Sequence, residues 1–206
     1  MSFQPQIIEG LHAGQSINMF KAFDEFFNKL KELNKLPSRI IELGTCCGGF
    51  TVFLKKHPIV PNNCELYTYD FTDWNLSGRD GDTKDGRELI KSLDIKFIQA
   101  NIFAEETIKN VKNLIQMEGT SIVFCDGGDK KVEFNLFSEF LKSGDIILAH
   151  DYIDTVENFE TNFKGKIWDG QEIKESDITG ACEKYNLKPF MQEELSKAVW
   201  ACRMKE

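Results

Sequence analysis

The sequence predicts an α/β fold: a doubly wound, seven-stranded sheet, mostly parallel, with an antiparallel last strand. Three observations carry this. From Arg39 onward, short apolar runs ending in glycine or an acid alternate with helical stretches, the rhythm of parallel βαβ units. The first run leads directly into a glycine-rich turn that opens a helix. The tail departs from this rhythm, because Leu187–Leu195 and Lys197–Arg203 are two strand-like runs with only Ser196 and its neighbours between them, the pattern of an antiparallel hairpin.

The elements follow in order. Ser16 to Asn34 repeats apolar residues at helical spacing (Ile17, Phe20, Phe23, Phe27, Leu30), with Ser16 as the expected N-cap and Pro37 blocking continuation. This amphipathic helix is expected to cover one sheet face, with a lid over a ligand as the alternative. Strands are then expected at Arg39–Gly44, Glu65–Asp70, Ile95–Gln99, Ser121–Asp126 and Asp145–Ala149. Helices are expected at Gly48–Lys56, Thr83–Leu93, Glu105–Gln116, Val132–Lys142 and Asp177–Tyr185, the last capped by Ser176. Phe71 to Asp85 is rich in glycine and aspartate and reads as a mobile loop. The chain reads as one domain, 1–206, with an N-terminal helical extension over 1–36 and the α/β core over 37–206.

Composition narrows the function classes. A formal net charge of −8 gives no general attraction to phosphate backbones, so nucleic acid is not expected as a partner. None of the six cysteines forms a CxxC pair, which argues against a zinc ribbon or a thioredoxin-type site. Met1 to Gly10 does not read as a secretion signal, and no apolar run approaches membrane-spanning length. The expectation is a cytoplasmic protein with reduced, mostly buried thiols and no membrane association.

The most informative stretch is Glu42-Leu-Gly44-Thr45-Cys46-Cys47-Gly48-Gly49-Phe50-Thr51, which follows an apolar strand and opens a helix, the context of a nucleotide-binding glycine loop. It is not the dinucleotide G-x-G-x-x-G, because Cys46 replaces the second glycine, and no G-K-[ST] follows to make a Walker loop. Asp70 ends the second strand, 22 residues after Gly48. A carboxylate there can accept both ribose hydroxyls of an adenosine, or it can serve as a plain strand-end cap. Asp126 ends the fourth strand and His150-Asp151 the fifth. The carboxyl ends of parallel strands face one crevice, so these groups should converge.

With these residues in place, the sequence resembles class I S-adenosylmethionine-dependent methyltransferases, whose Rossmann-like first motif has an acid two residues before a glycine and a second glycine near the helix start. Glu42, Gly44 and Gly48-Gly49 match. The block Ile122–Lys131 followed by Leu141–Tyr152 resembles more narrowly the small-molecule and sugar O-methyltransferases related to the cephalosporin-hydroxylase and macrolide-sugar families. The resemblance covers Arg39 to Tyr152 and, more loosely, the tail. It implies S-adenosylmethionine as cofactor, with Glu42, Gly44, Thr45, Gly48, Gly49, Asp70, Phe71, Asn101 and Asp126 at the cofactor. Asn101 would face the adenine edge, where Asp is commoner, or cap its own loop. The implied acceptor is a small hydroxylated molecule or sugar, and a homo-oligomer is compatible with it.

For the chemistry, the resemblance implies acids after strands four and five that can hold a divalent cation. Carried over, these are Asp126, His150 and Asp151, with His150 where an acid is commoner. That change favours zinc, manganese or iron over magnesium. The competing arrangement is a metal-free pocket in which Lys130 neutralises Asp126. Asp129, Lys130 and His150, in that order, are candidate bases for the acceptor hydroxyl. Of the tryptophans, Trp200 reads as core, Trp74 could cover the ligand, and Trp168 lies in the Tyr152–Glu175 insertion that would shape the acceptor pocket. Two other functions share this pattern: a catalytically silent S-adenosylmethionine-binding protein, and a nicotinamide oxidoreductase. The missing central glycine argues against the second.

Overall fold

Alternate residues of the central strands enter two different cores. Ile40, Ile122, Phe124, Ile146 and Leu148 pack into one, while Ile41, Leu43, Val123, Cys125, Ile147 and Ala149 pack into the other. Successive side chains of a strand point to opposite faces, so a sheet covered by helices on both sides must be apolar at every position. This explains why the strands read as continuous apolar runs. The computed structural model describes residues 6–73, 76 and 82–206.

A short antiparallel pair, β1 (Ile7–Ile8) and β2 (Leu11–His12), precedes α1 (Met19–Glu32). The α/β alternation then runs β3 (Arg39–Leu43), α2 (Gly49–Lys56), β4 (Glu65–Asp70), α3 (Gly86–Ser92), β5 (Lys96–Gln99), α4 (Glu105–Gln116), β6 (Ser121–Cys125), α5 (Lys130–Ser138) and β7 (Ile146–Ala149). A small parallel pair, β8 (Tyr152–Ile153) and β9 (Ile173–Lys174), brackets α6 (Val156–Asn158) and a π-helical turn at Phe159–Phe163. The chain closes with α7 (Glu175–Tyr185), β10 (Leu187–Pro189), α8 (Gln192–Ser196) and β11 (Ala201–Lys205). The main sheet has seven strands in the order β10-β11-β7-β6-β3-β4-β5. Only the β11 pairings, to β7 and to β10, are antiparallel.

Helices α1, α2, α3 and α8 cover one face, through Phe23, Phe27, Phe50, Leu54, Ile90 and Leu195. Helices α4, α5 and α7 cover the other, through Val111, Ile115, Phe134, Phe137, Ile178 and Ala181. The abundance of phenylalanine has its use on the first face. Phe23 meets Phe50, Phe124 and Trp200 at ring-centroid distances of 5.3, 5.8 and 5.7 Å. Each such ring, fully buried, contributes about 1.5–3 kcal/mol. Helix α1 is therefore part of the core and not a lid.

Several boundaries differ from the sequence reading. Helix α1 begins at Met19 after Asn18, whose side chain does not cap the helix but donates to the Lys197 carbonyl (2.7 Å), and Ile17 is 63% exposed. The buried stripe is Met19, Ala22, Phe23, Phe26, Phe27 and Leu30, so Ser16 is not the cap. Helix α3 begins later than Thr83, because Asp85 caps it by accepting the Arg87 amide (2.8 Å). Ser176 lies inside α7, whose start is held by the Lys174 amide donating to Asp177 (3.1 Å). The tail is not a tight hairpin. β10 has three residues, and Gln-Glu-Glu-Leu-Ser forms α8, with Glu193 and Glu194 at its favourable N-terminus and Leu195 buried. The antiparallel β10–β11 pair is present, but β11 begins at Ala201 and not at Lys197. Among the described residues, no helix is long and apolar enough to cross a membrane.

Candidate functional site

A cleft of about 340 Å³ opens at the carboxyl edge of the sheet, lined by Gly44, Cys46, Asp70, Phe71, Asn101, Phe103 and Asp126 with their neighbours. It straddles the point where the strand order reverses, with β4 on one side of β3 and β6 on the other, the position where open α/β sheets bind ligands.

The loop after β3 is fixed from beneath. Gly44 has φ +101°, and a Cβ there would lie 2.1 Å from the Asp126 carbonyl oxygen. Only glycine fits so close an approach with this backbone. Cys46, which stands where a dinucleotide loop has its second glycine, keeps the left-handed conformation at φ +50°. Its amide donates to Asp70 Oδ2 (2.8 Å), and the Thr72 amide donates to Oδ1 (3.3 Å). Each carboxylate oxygen can accept a second bond, so Asp70 ties the loop to β4 and still faces the cleft.

Gly48 and Gly49 sit differently. A Cβ on Gly48 would meet Ile90 and Leu76 at 3.2 Å, and one on Gly49 would meet the His12 carbonyl oxygen at 2.4 Å. Gly49 therefore admits the β1–β2 pair against α2, and neither glycine lines the cleft. Glu42 and Thr45 lie under the loop. The Thr51 and Thr68 hydroxyls donate to Glu42 Oε2 (2.6 and 2.5 Å), and Thr45 bonds Thr68 (2.6 Å). Glu42 Oε1 is buried without a partner, and burial pushes the carboxyl up to about 8. On the cleft rim Phe71 is 74% exposed, and Asn101 accepts the Phe103 amide through Oδ1 (3.0 Å). Trp74 lies outside the described residues, as does part of the Phe71–Asp85 loop.

Asp126 lines the opposite wall, and a buried ionisable cluster lies behind it. Asp126, His150 and Asp151 place one candidate ligand atom each within 4.8 Å of one another. His150 Nδ1 lies 3.1 Å from Asp126 Oδ1 and 3.6 Å from Asp151 Oδ1. Its ring is wedged beside Trp200 and Trp168, at 4.7 and 5.0 Å between centroids, and its Nε2 is buried with no partner among the described residues. Burial opposes the imidazolium, but the Asp126 and Asp151 carboxylates prevail and hold His150 above its ordinary value. Asp151 has φ +57° and accepts the Trp168 indole N–H. Burial works against its carboxylate, yet His150 and Lys130 keep it below the usual range.

Lys130 is buried, and its ammonium lies 3.1 Å from Asp151, 2.9 Å from Glu172 and 3.9 Å from Asp126. Burial disfavours the charge, but the surrounding carboxylates raise Lys130 well above the ordinary lysine value. It is a permanent cation here and no base. Asp129 is exposed and caps α5 by accepting the Val132 amide (3.0 Å). Of the three candidate bases, His150 alone combines burial in the cluster with an uncommitted nitrogen.

Three residues of this region were missed from the sequence. Gln15, ahead of α1, accepts the Trp200 indole N–H (3.0 Å) and donates to Asp126 Oδ2 (2.8 Å). Glu172 reaches Lys130 from the insertion after β7. Glu133 accepts the Gly127 and Asp129 amides (3.2 and 3.1 Å) and so braces the loop after β6, while burial lifts its carboxyl to about 7. Glu133 follows its helix cap by four positions, one more than a capping box, and that spacing was the only hint.

No protein-family model matches the sequence, and no match is found among curated proteins. Solved structures do match. A CmcI structure with Mg and SAM aligns with 99% of this chain and 78% of its own, at TM-score 0.59 and 18% identity. An S-adenosylmethionine-dependent methyltransferase from Clostridium acetobutylicum aligns over 89% of both chains, at TM-score 0.52 and 13% identity. A geranyl diphosphate methyltransferase in complex with SAM aligns with 91% of this chain and 85% of its own, at TM-score 0.50 and 11% identity. At these identities the likeness is one of fold: the chain shares the Rossmann-like α/β architecture of these methyltransferase structures.

Proposed function

We propose that this chain is an S-adenosylmethionine-dependent methyltransferase that methylates an oxygen of a small hydroxylated molecule or sugar. The observation that carries the reading is the pairing, across one cleft, of the Gly44 loop and Asp70 on one wall with Asp126 on the other, where Asp126 is backed by the buried His150 and Asp151. The first wall suits an adenosine, with Asp70 toward the ribose hydroxyls and Phe71 and Asn101 beside the base. The second wall suits a hydroxyl acceptor.

Methyl transfer is an in-line displacement. The acceptor oxygen attacks the methyl carbon, the carbon–sulfur bond breaks, and its electron pair stays on sulfur to give S-adenosylhomocysteine. The protein contributes alignment and removal of the hydroxyl proton. His150 is assigned the second task. With Nδ1–H donated to Asp126 the lone pair lies on Nε2, the nitrogen that has no partner among the described residues. The carboxylate also stabilises the imidazolium that forms. A cytoplasmic location and a homo-oligomeric state belong to the same proposal. The buried thiols of Cys64, Cys125 and Cys202 suit a reducing compartment.

The experiment is a transfer assay with labelled S-adenosylmethionine against a panel of diols and sugars. Transfer that falls with His150→Gln, while S-adenosylhomocysteine still binds, supports the reading. A protein that binds S-adenosylhomocysteine and transfers to nothing supports a catalytically silent binder.

A further inference from the structure

The carboxylates of Asp126 and Asp151 already have a donor on every oxygen. Asp126 Oδ2 accepts the Gln15 amide, and its Oδ1 faces His150 Nδ1. Asp151 Oδ1 accepts the Trp168 indole, and its Oδ2 faces the Lys130 ammonium. Lys130 is equally complete. An ammonium has three N–H donors, and three acceptors surround this one: Asp151 Oδ2 at 3.1 Å, Glu172 Oε2 at 2.9 Å and the Gly127 carbonyl at 3.1 Å. His150 presents Nδ1 to two carboxylates, where it acts as a donor, and its lone pair, on Nε2, is directed away from both carboxylates by the geometry of the ring. A divalent ion held by Asp126, His150 and Asp151 would have to break this set and sit beside a buried like charge. The residues present therefore do not fit a metal.

We infer that Lys130 is the resident cation of this site, taking between Asp126 and Asp151 the place that a divalent ion would fill, so that the chain works without a metal. The inference rests on the reading of the cleft as a methyltransferase site. In that reading Lys130 neutralises the paired carboxylates and positions Asp151. Glu172, supplied by the segment after β7, closes the ammonium off from solvent. Lys130 is a positioning residue, because its three N–H groups are spent on protein acceptors.

The test is a titration of Mn²⁺ into the protein with and without S-adenosylhomocysteine, followed by the paramagnetic resonance of free Mn²⁺. Wild type is expected to show no saturable binding through the millimolar range. Lys130→Met removes the cation and keeps the packing volume. It is expected to gain one Mn²⁺ site, at least ~10-fold tighter than any wild-type binding, and to lose it again when Asp151→Asn is added. Lys130→Gln, which retains a donor toward Gly127 and Glu172, repeats the gain should Lys130→Met not fold. Saturable Mn²⁺ binding by wild type that Asp126→Asn or Asp151→Asn abolishes would overturn the inference. So would a folded Lys130 variant with no gain. Calorimetry with S-adenosylhomocysteine on the same samples separates the two claims. Cofactor binding together with Mn²⁺ binding sinks only the resident-cation inference, whereas absent cofactor binding sinks the functional reading beneath it.

Discussion

Gln15 and Trp200, 185 positions apart, are joined by a 3.0 Å hydrogen bond from the indole Nε1 to the amide oxygen, and the same amide donates to Asp126. The segment before the first helix thus reaches across the sheet and sets the carboxylate that faces His150. Gln15→Leu keeps the bulk but strands a fully buried indole N–H and one carboxylate oxygen. Leaving buried polar groups unsatisfied should cost about 2 kcal/mol, roughly 4–8 °C in Tm for a chain of this size. Scanning calorimetry checks this, and a shift under ~1 °C would show that the bridge is dispensable.

Two glycines of the cleft should respond oppositely. At Gly44 an added methyl would meet the Asp126 carbonyl at 2.1 Å on a backbone of φ +101°, so Gly44→Ala should lose both S-adenosylhomocysteine binding and several degrees of Tm. At Gly128 a Cβ meets nothing within 4 Å, so Gly128→Ala should stay within about 0.5 kcal/mol of wild type. Equal effects at the two positions would contradict the close approach of the two loops.

Glu42 gives stability a pH dependence of defined sign. Burial raises its carboxyl from 4.5 to about 8, so the fold favours the protonated form. Its contribution is complete below the unfolded-state value and is lost as pH rises to the folded one. Wild type should therefore lose Tm relative to Glu42→Gln between about pH 4.5 and 8, with a constant difference above that window. Melting curves of both proteins across the range decide it, and a gap independent of pH would remove Glu42 as the cause.

The two walls should separate in kinetics. Asp70→Ala is expected to weaken S-adenosylhomocysteine binding about 10-fold or more, since a hydrogen bond to a charged group contributes roughly 1.5–3 kcal/mol. His150→Gln should leave that affinity nearly unchanged and lower kcat by about 10²–10⁴-fold, the usual worth of a general base. The kcat of wild type should rise with pH through a midpoint above the ordinary histidine value, because the base must be neutral and its partners hold the proton on. Were His150→Gln to lose affinity and keep kcat, the imidazole would belong to the cofactor wall.

The sheet was legible because burial on both faces writes itself into the strands. Ile122-Val-Phe-Cys and Ile146-Ile-Leu-Ala are apolar at every position, and their paired faces fill two cores. The glycine loop was legible because Gly44 needs both a left-handed backbone and a close neighbour. Local signals failed where long-range contacts decide. Gln15 looks like any polar residue ahead of a helix, and only the fold brings it to Asp126. Gly49 reads as a ligand-loop glycine, yet its constraint comes from His12. The helix Gln192–Ser196 was hidden by apolar alternation in the tail, although Glu193 and Glu194 suit a helix start. Lys130 reads equally as a base and as the neutraliser of Asp126, and its contact with Glu172, 42 positions later, had no local signal.

Calorimetry of wild type with S-adenosylhomocysteine, run beside NAD under the same conditions, bears most directly on the functional reading. One S-adenosylhomocysteine per chain should bind saturably, with NAD inert and with Asp70→Ala weakening the interaction. Saturable NAD binding, or no heat from S-adenosylhomocysteine with a correctly folded protein, would contradict the methyltransferase reading outright.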